Sequence, residues 1–246
     1  MKYKKNFGWV PDIPDRRDFL YSAIRPVVKL PDKTDLREWC SEVEQQGRLG
    51  SCTAQALAGN IEFLDKRVDA VYVDVSRLFI YYNERALEGT VDYDSGASLR
   101  DGIKTLKKDG TCHEENWPYV ISRFDKKPPA RCYTEARLHR IESYHRLNTL
   151  SEMLTCLTEG YPFVFGFAVY ESFESESVKR TGVVHMPKEK ERVIGGHAVM
   201  AIGYDRQKKR FLVRNSWGRQ WGMDGYFTMP FEYLETLAAD FWTIRR

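Results

Sequence analysis

The 246-residue sequence predicts an α+β fold with a mainly helical first half and a β-rich second half. Apolar residues recur at steps of three and four over residues 52–66, which is the spacing of one helix face. Residues 162–170 instead form an unbroken apolar run of strand length, as expected for a strand buried on both faces. With 42% hydrophobic residues, the chain is long enough to bury a sizeable core in one large or two small domains.

Three helices are predicted in the first half. The first covers residues 52–66, and Ser51 is its candidate N-cap. The second covers residues 76–87. The third covers residues 99–108 and stops at Gly110, a residue type that commonly ends helices.

The second half begins with one more short helix, at residues 149–159, before the apolar strand at 162–170. Further strands are predicted at residues 198–204, 211–214, 226–229 and 240–244. The polar segments are assigned to surface loops: residues 126–130, 172–179 and 187–192. No internal repeat is visible.

Charge and hydropathy exclude several function classes. The net charge is only +3, and lysine and arginine are spread along the chain, which is not the strong basic field of a nucleic-acid binder. No run of eighteen apolar residues exists, so no membrane span is expected. The basic start is not followed by an apolar stretch, so we expect no secretory signal. We also expect no metal or cofactor, and a monomer.

Three segments carry groups for nucleophilic catalysis. Cys52 lies at the predicted start of the first helix, where the helix dipole and unpaired N–H groups favour a thiolate. A lone cysteine there is more often a small buried residue. Downstream, however, His197 stands between glycines and an apolar run, and Asn215 stands beside two Trp-Gly pairs. A cysteine nucleophile needs a base, and the base needs an orienting group, so the three together favour catalysis.

These segments resemble the papain-like cysteine peptidases. The resemblance is carried by the spacing from Gln46 to Cys52, the Gly-His-Ala segment at 196–198 and the pattern Asn-Ser-Trp-Gly-x-x-Trp-Gly at 215–222. It covers the chain from about Leu30 to the end. It implies a papain-like fold in which a helical lobe carries the nucleophile, a β lobe carries His and Asn, and the cleft between them is the active site.

The resemblance implies a role for each catalytic residue. Cys52 attacks the peptide carbonyl, and His197 forms an ion pair with it and then protonates the leaving amine. Asn215 holds the imidazole in the useful tautomer, and Trp217 shields that hydrogen bond from water. Gln46 belongs to the oxyanion hole, with the backbone N–H of Cys52 as the second donor.

The resemblance also implies the residues that hold a polypeptide substrate. The backbone of Gly96 is the candidate to pair with the substrate strand, although Gly96 also fits an ordinary turn. The pocket for the second residue before the cut is assigned small, uncharged residues: Gly166, Gly195, Ala198 and, near its base, Ala239. Gly196 and Trp217 are further candidates for substrate contact. We therefore expect a roomy pocket that prefers a bulky apolar side chain. No insertion that would cap the cleft is evident, which favours an endopeptidase.

The chain departs from the family pattern at two positions near the nucleophile. Thr53 replaces the tryptophan that usually follows the cysteine, and Leu49 replaces a cysteine that is often in a disulfide. Because that cysteine is missing, we interpret the five cysteines as largely unpaired and the protein as cytoplasmic, while a Cys112–Cys132 pair stays open.

Residues 1–29 differ from the rest and lie where the family has its inhibitory propeptide. Residues 30–140 are assigned to a mainly helical lobe and residues 141–246 to a mainly β lobe. Two prolines indicate an extended path over 9–21. Three hypotheses compete for this segment: it blocks the cleft, it packs along the surface as a strap, or it is disordered. Its aromatic residues argue against disorder, and the first two hypotheses are equally supported.

Two other functions compete with a self-inhibited cysteine endopeptidase. One is a papain-fold enzyme that removes conjugates or transfers the acyl group to an amine. The other is a non-catalytic papain-fold binding protein, against which the intact set of catalytic residues argues.

Overall fold

The computed structural model describes residues 7–23 and 29–246. The helices are α1 (Cys52–Leu64), α2 (Arg77–Glu88), α3 (Leu99–Lys108), α4 (Ala130–Ala136), α5 (Leu150–Thr158), α6 (Glu176–Thr181) and α7 (Phe231–Leu237). The strands are β1 (Lys33–Asp35), β2 (Ser143–Arg146), β3 (Phe163–Tyr170), β4 (Val193–Asp205), β5 (Arg210–Arg214), β6 (Tyr226–Pro230) and β7 (Ala238–Arg245).

One antiparallel sheet dominates the second half of the chain. Its strands lie in the order β2-β7-β3-β4-β5-β6, and β1 pairs with the far end of β4. The apolar strand β3 lies between β4 and β7, and the helices α1, α3, α5 and α7 contact it, so side chains on both of its faces are buried. In this register Phe167 of β3 lies opposite His197 of β4, so the predicted base lies on a central strand.

Helix α1 is the central helix of the first half. It packs against α2, α3 and the sheet strand β4, and all of its residues are buried. The prediction of one apolar face is therefore too narrow, because small residues such as Ala54 and Gly59 let neighbours approach the helix from every side. The helix continues into a π-helical turn at Asp65–Asp69.

The predicted helices α1, α2, α3 and α5 and the strands β3 to β7 are confirmed to within a few residues. The loop prediction for 172–179 is wrong: it holds a 3₁₀ turn and α6, and Phe173 is buried beneath them. The strands β1 and β2 and the helices α4 and α7 were not predicted. Strand β1 belongs to residues 30–140 and joins the sheet of the second half.

All five cysteines, at positions 40, 52, 112, 132 and 156, are free thiols. Cys112 and Cys132 lie together in a small buried cluster with Phe79 and Ala136, apart from the main core. Within residues 7–23 and 29–246, no helix is both long enough and apolar enough to cross a membrane.

Candidate active site

The nucleophile candidate Cys52 is the first residue of α1 and is completely buried. Ser51 occupies the N-cap position, as predicted, but its hydroxyl makes no capping hydrogen bond. It lies 2.5 Å from the hydroxyl of Tyr119 instead. Tyr119 in turn donates to the carbonyl of Gln46 at 2.9 Å, so this pair ties the start of α1 to the loop before it.

The structure brings His197 and Asn215 together at the meeting of β4 and the end of β5. The Nε2 atom of His197 lies 2.8 Å from the Oδ1 atom of Asn215. That oxygen also accepts a hydrogen bond from the backbone N–H of Ser216 at 2.9 Å, which fixes the amide orientation. The Trp217 ring stacks on the imidazole, with centroids 4.9 Å apart.

Gln46 lies in a buried loop that is fastened to the segment after Asn215. Its backbone N–H donates to the carbonyl of Ser216 at 2.9 Å, and its Oε1 accepts from the Ser216 hydroxyl at 2.6 Å. Its side-chain amide donates to the carbonyl of Leu49 at 3.0 Å. The amide carries two hydrogens, so one N–H of Gln46 remains for a substrate oxygen.

Residues 7–12, here named the cleft segment, run through the cleft. The backbone N–H of Ala97 donates to Gly8 at 2.8 Å, and the N–H of Val10 donates back to Ala97 at 2.9 Å, in a parallel bridge. On the opposite wall, the N–H of Trp9 donates to the carbonyl of Gly196 at 3.1 Å. The cleft segment therefore pairs with both lobes.

Gly8 is the point of closest approach to the floor of the cleft. A Cβ atom on Gly8 would lie 1.7 Å from the carbonyl oxygen of Gly50, and one on Gly96 would lie 1.9 Å from the carbonyl oxygen of Gly8. Gly96 also has a φ of +71°, which favours glycine. The cleft segment pairs with the backbone of Ala97, however, and not with that of Gly96, the residue assigned from the sequence.

The Trp9 side chain fills the predicted specificity pocket. Its ring covers Gly166 and Gly196, and Phe7 covers Gly195. Ala198 is buried beside the nucleophile, and Ala239 pairs with Gly166 across β3 and β7. The small residues suggested an uncharged pocket. The structure places a carboxyl group in it, because the indole N–H of Trp9 donates to Asp240 at 3.2 Å.

Carboxylates and arginines anchor the cleft segment and the residues after it. Asp12 accepts from the Trp242 indole at 2.8 Å and from the backbone N–H of Arg100 at 3.1 Å. Asp18 accepts from the guanidinium groups of Arg100 and Arg146 at 2.7 and 3.0 Å. Arg146 also binds the other oxygen of Asp240 at 3.1 Å.

Burial dominates the electrostatics of the covered site. It raises the pKa of the Cys52 thiol to about 11, although backbone N–H groups of Ala198, Gly8 and Thr53 oppose the shift. Burial, reinforced by the neighbouring Asp12 carboxylate, raises the pKa of Asp240 to about 6. Burial also raises the pKa of Asp12, against hydrogen bonds from Trp242 and Arg100.

The sequence prediction missed the contribution of Asp240. An Asp-Phe-Trp segment at a strand start carries no motif, and the contact from Trp9 to Asp240 joins opposite ends of the chain. Within residues 7–23 and 29–246, no cluster of three or more His, Cys, Asp or Glu side chains is arranged to hold a metal ion.

Comparisons with known proteins agree with this geometry. The family model "Papain family cysteine protease" matches residues 30–235. The structure of xylellain, a cysteine protease from Xylella fastidiosa, superposes with a TM-score of 0.91 at 42% identity, covering 100% of this chain and 97% of that one.

Two protein sequences extend the comparison. An uncharacterized peptidase C1-like protein of Acanthamoeba polyphaga mimivirus is 42% identical over 98% of this chain and 87% of its own length. A cathepsin L-like proteinase of Fasciola hepatica is 27% identical over 81% of this chain, which spans 60% of that protein. The α+β fold is therefore papain-like, and the chain belongs to the papain family of cysteine proteases.

Proposed function

We propose that this chain is a cysteine endopeptidase whose cleft segment holds it inactive. The observation that carries the proposal is the position of Gly8, which lies against Gly50 and directs its backbone N–H at the sulfur of Cys52. A peptide substrate must reach the same sulfur, so the cleft segment and a substrate exclude each other.

The chemistry follows from the residues around the sulfur. In the open site, the Cys52 thiolate attacks the substrate carbonyl while the second N–H of Gln46 and the backbone N–H of Cys52 hold the oxyanion. The imidazolium of His197 protonates the leaving amine, which departs as the acyl-enzyme forms. Water, deprotonated by the now neutral His197, then releases the acid and restores the thiolate–imidazolium pair. Asn215 keeps the ring oriented throughout.

An endopeptidase is favoured because the cleft accepts a chain on both sides of the nucleophile. Phe7 lies on one side, with its ring 6.3 Å from that of Trp217. Trp9 lies on the other side, in the pocket formed by Gly166 and Gly196. A polypeptide that extends in both directions from the cleaved bond fits such a cleft.

Inhibition has a steric and an electrostatic part. Cys52 is completely buried with the cleft segment in place, and this burial raises the pKa of the thiol to about 11, which suppresses the nucleophilic thiolate. Release of the segment admits water and substrate and removes the desolvation that opposes the thiolate. We therefore infer that removal of the segment is the activating step.

A pair of full-length variants tests the proposal. Gly8→Ala places a methyl group 1.7 Å from the Gly50 oxygen and so displaces the segment. Ile13→Ala is the matched control, because Ile13 is 82% exposed and its backbone contact to Arg100 is kept. Each chain is incubated with an epoxysuccinyl inhibitor, weighed by mass spectrometry, and assayed on casein.

We expect faster labelling of Cys52 and faster casein hydrolysis in Gly8→Ala than in wild type, with Ile13→Ala unchanged and Cys52→Ala inactive. Equal rates in Gly8→Ala and wild type would refute the block while leaving the peptidase intact. Labelled protein that cuts only folded conjugates, or transfers its acyl group to added amines, would indicate the deconjugating or transpeptidating alternative. A folded Gly8→Ala chain without labelling would indicate a binding protein.

A further inference from the structure

We propose that Asp240 makes the pocket beside the nucleophile select tryptophan, through its ring N–H, as the second residue before the cleaved bond. The inference rests on the proposed function, because it names the substrate feature that the same site recognises. Trp9 of the cleft segment already occupies this pocket and reports its shape and polarity.

The shape fits a flat bicyclic ring. A Cβ atom on Gly166 would lie 1.9 to 2.3 Å from the Cε2, Nε1 and Cδ2 atoms of Trp9. A Cβ atom on Gly196 would lie 2.6 Å from Cε3 of the same ring. Both halves of the indole thus lie directly on backbone that has no side chain. A single six-membered ring would leave part of this surface uncovered.

The polarity fits a ring with one hydrogen-bond donor. The Oδ2 atom of Asp240 accepts from the Trp9 ring N–H at 3.2 Å and from the backbone N–H of Asp12 at 2.8 Å. When the cleft segment leaves, this oxygen loses both of those donors, whereas Oδ1 keeps its contact with Arg146 at 3.1 Å. A substrate ring that carries an N–H restores the lost hydrogen bond, and one without it leaves a buried acceptor unpaired.

The backbone at Asp240 supports a dedicated role. Its φ is +59°, in the left-handed region that few non-glycine residues adopt. The neighbouring β3–β7 pairing shifts register between Val164 and Gly166, so the strand is irregular beside the pocket. Aspartate tolerates this conformation better than most residues, and such local strain is concentrated at functional sites.

The surrounding charges favour a neutral donor over a cationic one. Arg146 already compensates the Asp240 carboxylate. Arg100 and Arg146 both lie over the Trp242 ring, with their guanidinium carbons 5.7 and 5.4 Å from its centroid. Asp18 pairs with both of these arginines, so the carboxylates near the pocket are already compensated. An arginine side chain in the pocket would add a third cation without an unpaired carboxylate to receive it. The indole N–H gains the hydrogen bond without adding charge.

The test uses the full-length chain with Gly8→Ala and Trp9→Ala, which clear the cleft and the pocket. Coumarin amides of blocked dipeptides carry tryptophan, benzothienylalanine or leucine as the second residue before the cut. Benzothienylalanine has the shape of tryptophan with sulfur in place of the ring N–H. Binding is measured separately, as protection of Cys52 from iodoacetamide by the matching dipeptide amides, so that no turnover is needed.

We expect kcat/KM at pH 7.5 to be about 10- to 100-fold higher for tryptophan than for benzothienylalanine, with the same order in protection. Asp240→Ala should bring the ratio close to one, and Asp240→Asn, which keeps the side-chain shape, should leave an intermediate ratio. Asp12→Ala is the matched control and should keep the ratio, because Asp12 leaves Asp240 together with the rest of the cleft segment before a substrate binds.

The outcomes separate the pocket from the peptidase. Equal protection by the two dipeptides, with the leucine substrate cleaved, overturns the role of Asp240 and leaves the proposed function intact. Preferential protection by tryptophan without cleavage of any substrate overturns the peptidase and supports the pocket. Neither protection nor cleavage overturns both. A preference for arginine overturns the charge argument and with it the selection of tryptophan.

Discussion

Acidification should tighten the closed state of this site. Asp240 has a pKa of about 6 when the cleft segment is docked, against an ordinary value of 3.8. Docking therefore binds protons, and the stabilisation it gains from protonation is fully present below pH 3.8 and is lost as the pH rises through 6. Arg146 and the N–H donors around the carboxyl oppose this shift without cancelling it.

The size of the effect follows from the two pKa values. For a carboxyl that returns fully to its ordinary pKa on opening, docking should strengthen by at most about 20- to 30-fold between pH 7.5 and 4.5 from Asp240 alone, which is about 2 kcal/mol. The raised pKa of Asp12 acts in the same direction. The closed form is thus favoured in acid and the open form at neutral or alkaline pH.

The assay is the rate at which an epoxysuccinyl inhibitor labels Cys52 in full-length protein, divided by the rate in Gly8→Ala at the same pH. The division removes the pH dependence of the thiol reaction itself. We expect this ratio to fall by up to about 20- to 30-fold from pH 7.5 to 4.5, and to fall less in Asp240→Asn, where only Asp12 contributes. A ratio that stays constant or rises on acidification in the wild type would refute the reasoning.

Three other predictions concern the catalytic and buried groups. Gln46→Ala should lower kcat about 100- to 1,000-fold by removing an oxyanion donor. Ser216→Ala removes only an anchor of Gln46 and should lower kcat less. Steady-state kinetics of the opened enzyme compares the two variants. Asn215→Ala should lower kcat with little change in KM, because the substrate does not touch Asn215. A rise in KM that accompanies the fall in kcat would contradict the orienting role. Burial raises the pKa of Glu84 well above its usual range, and its Oε1 accepts from the Thr53 hydroxyl. Glu84→Gln should therefore lower the free energy of unfolding by under about 1 kcal/mol, and Glu84→Ala by about 2–4 kcal/mol, measured by urea unfolding.

The catalytic groups were predictable because each is carried by a short local pattern. Cys52 follows a glycine-bearing loop and starts a periodic helix, and His197 starts the apolar part of a strand. The structure adds the contacts that position His197: Phe167 lies opposite it on the neighbouring strand, and Asn215 lies within 2.8 Å of its ring. Such contacts between distant segments depend on sheet register, which the local pattern does not contain.

The path of the N-terminal residues was not predictable on the same grounds. Residues 9–21 have no apolar period, and their fate is decided by contacts such as Trp9 with Asp240 and Asp12 with Trp242, more than 200 positions apart. The place of Asp240 depends on a left-handed backbone beside an irregular strand pair. Because the position of Asp240 could not be read from the sequence, the pocket was expected to be uncharged.

The close contact of Gly8 with Gly50 and Gly96 has a consequence for how this protein can vary. Every amino-acid change available to a glycine codon by a single base substitution introduces a side chain, and none of these fits against the Gly50 carbonyl. On the proposed gating, the inactive form is therefore one point mutation away from constitutive proteolysis at this codon. Variants at position 8 should accordingly be counter-selected wherever uncontrolled proteolysis harms the cell that makes the protein.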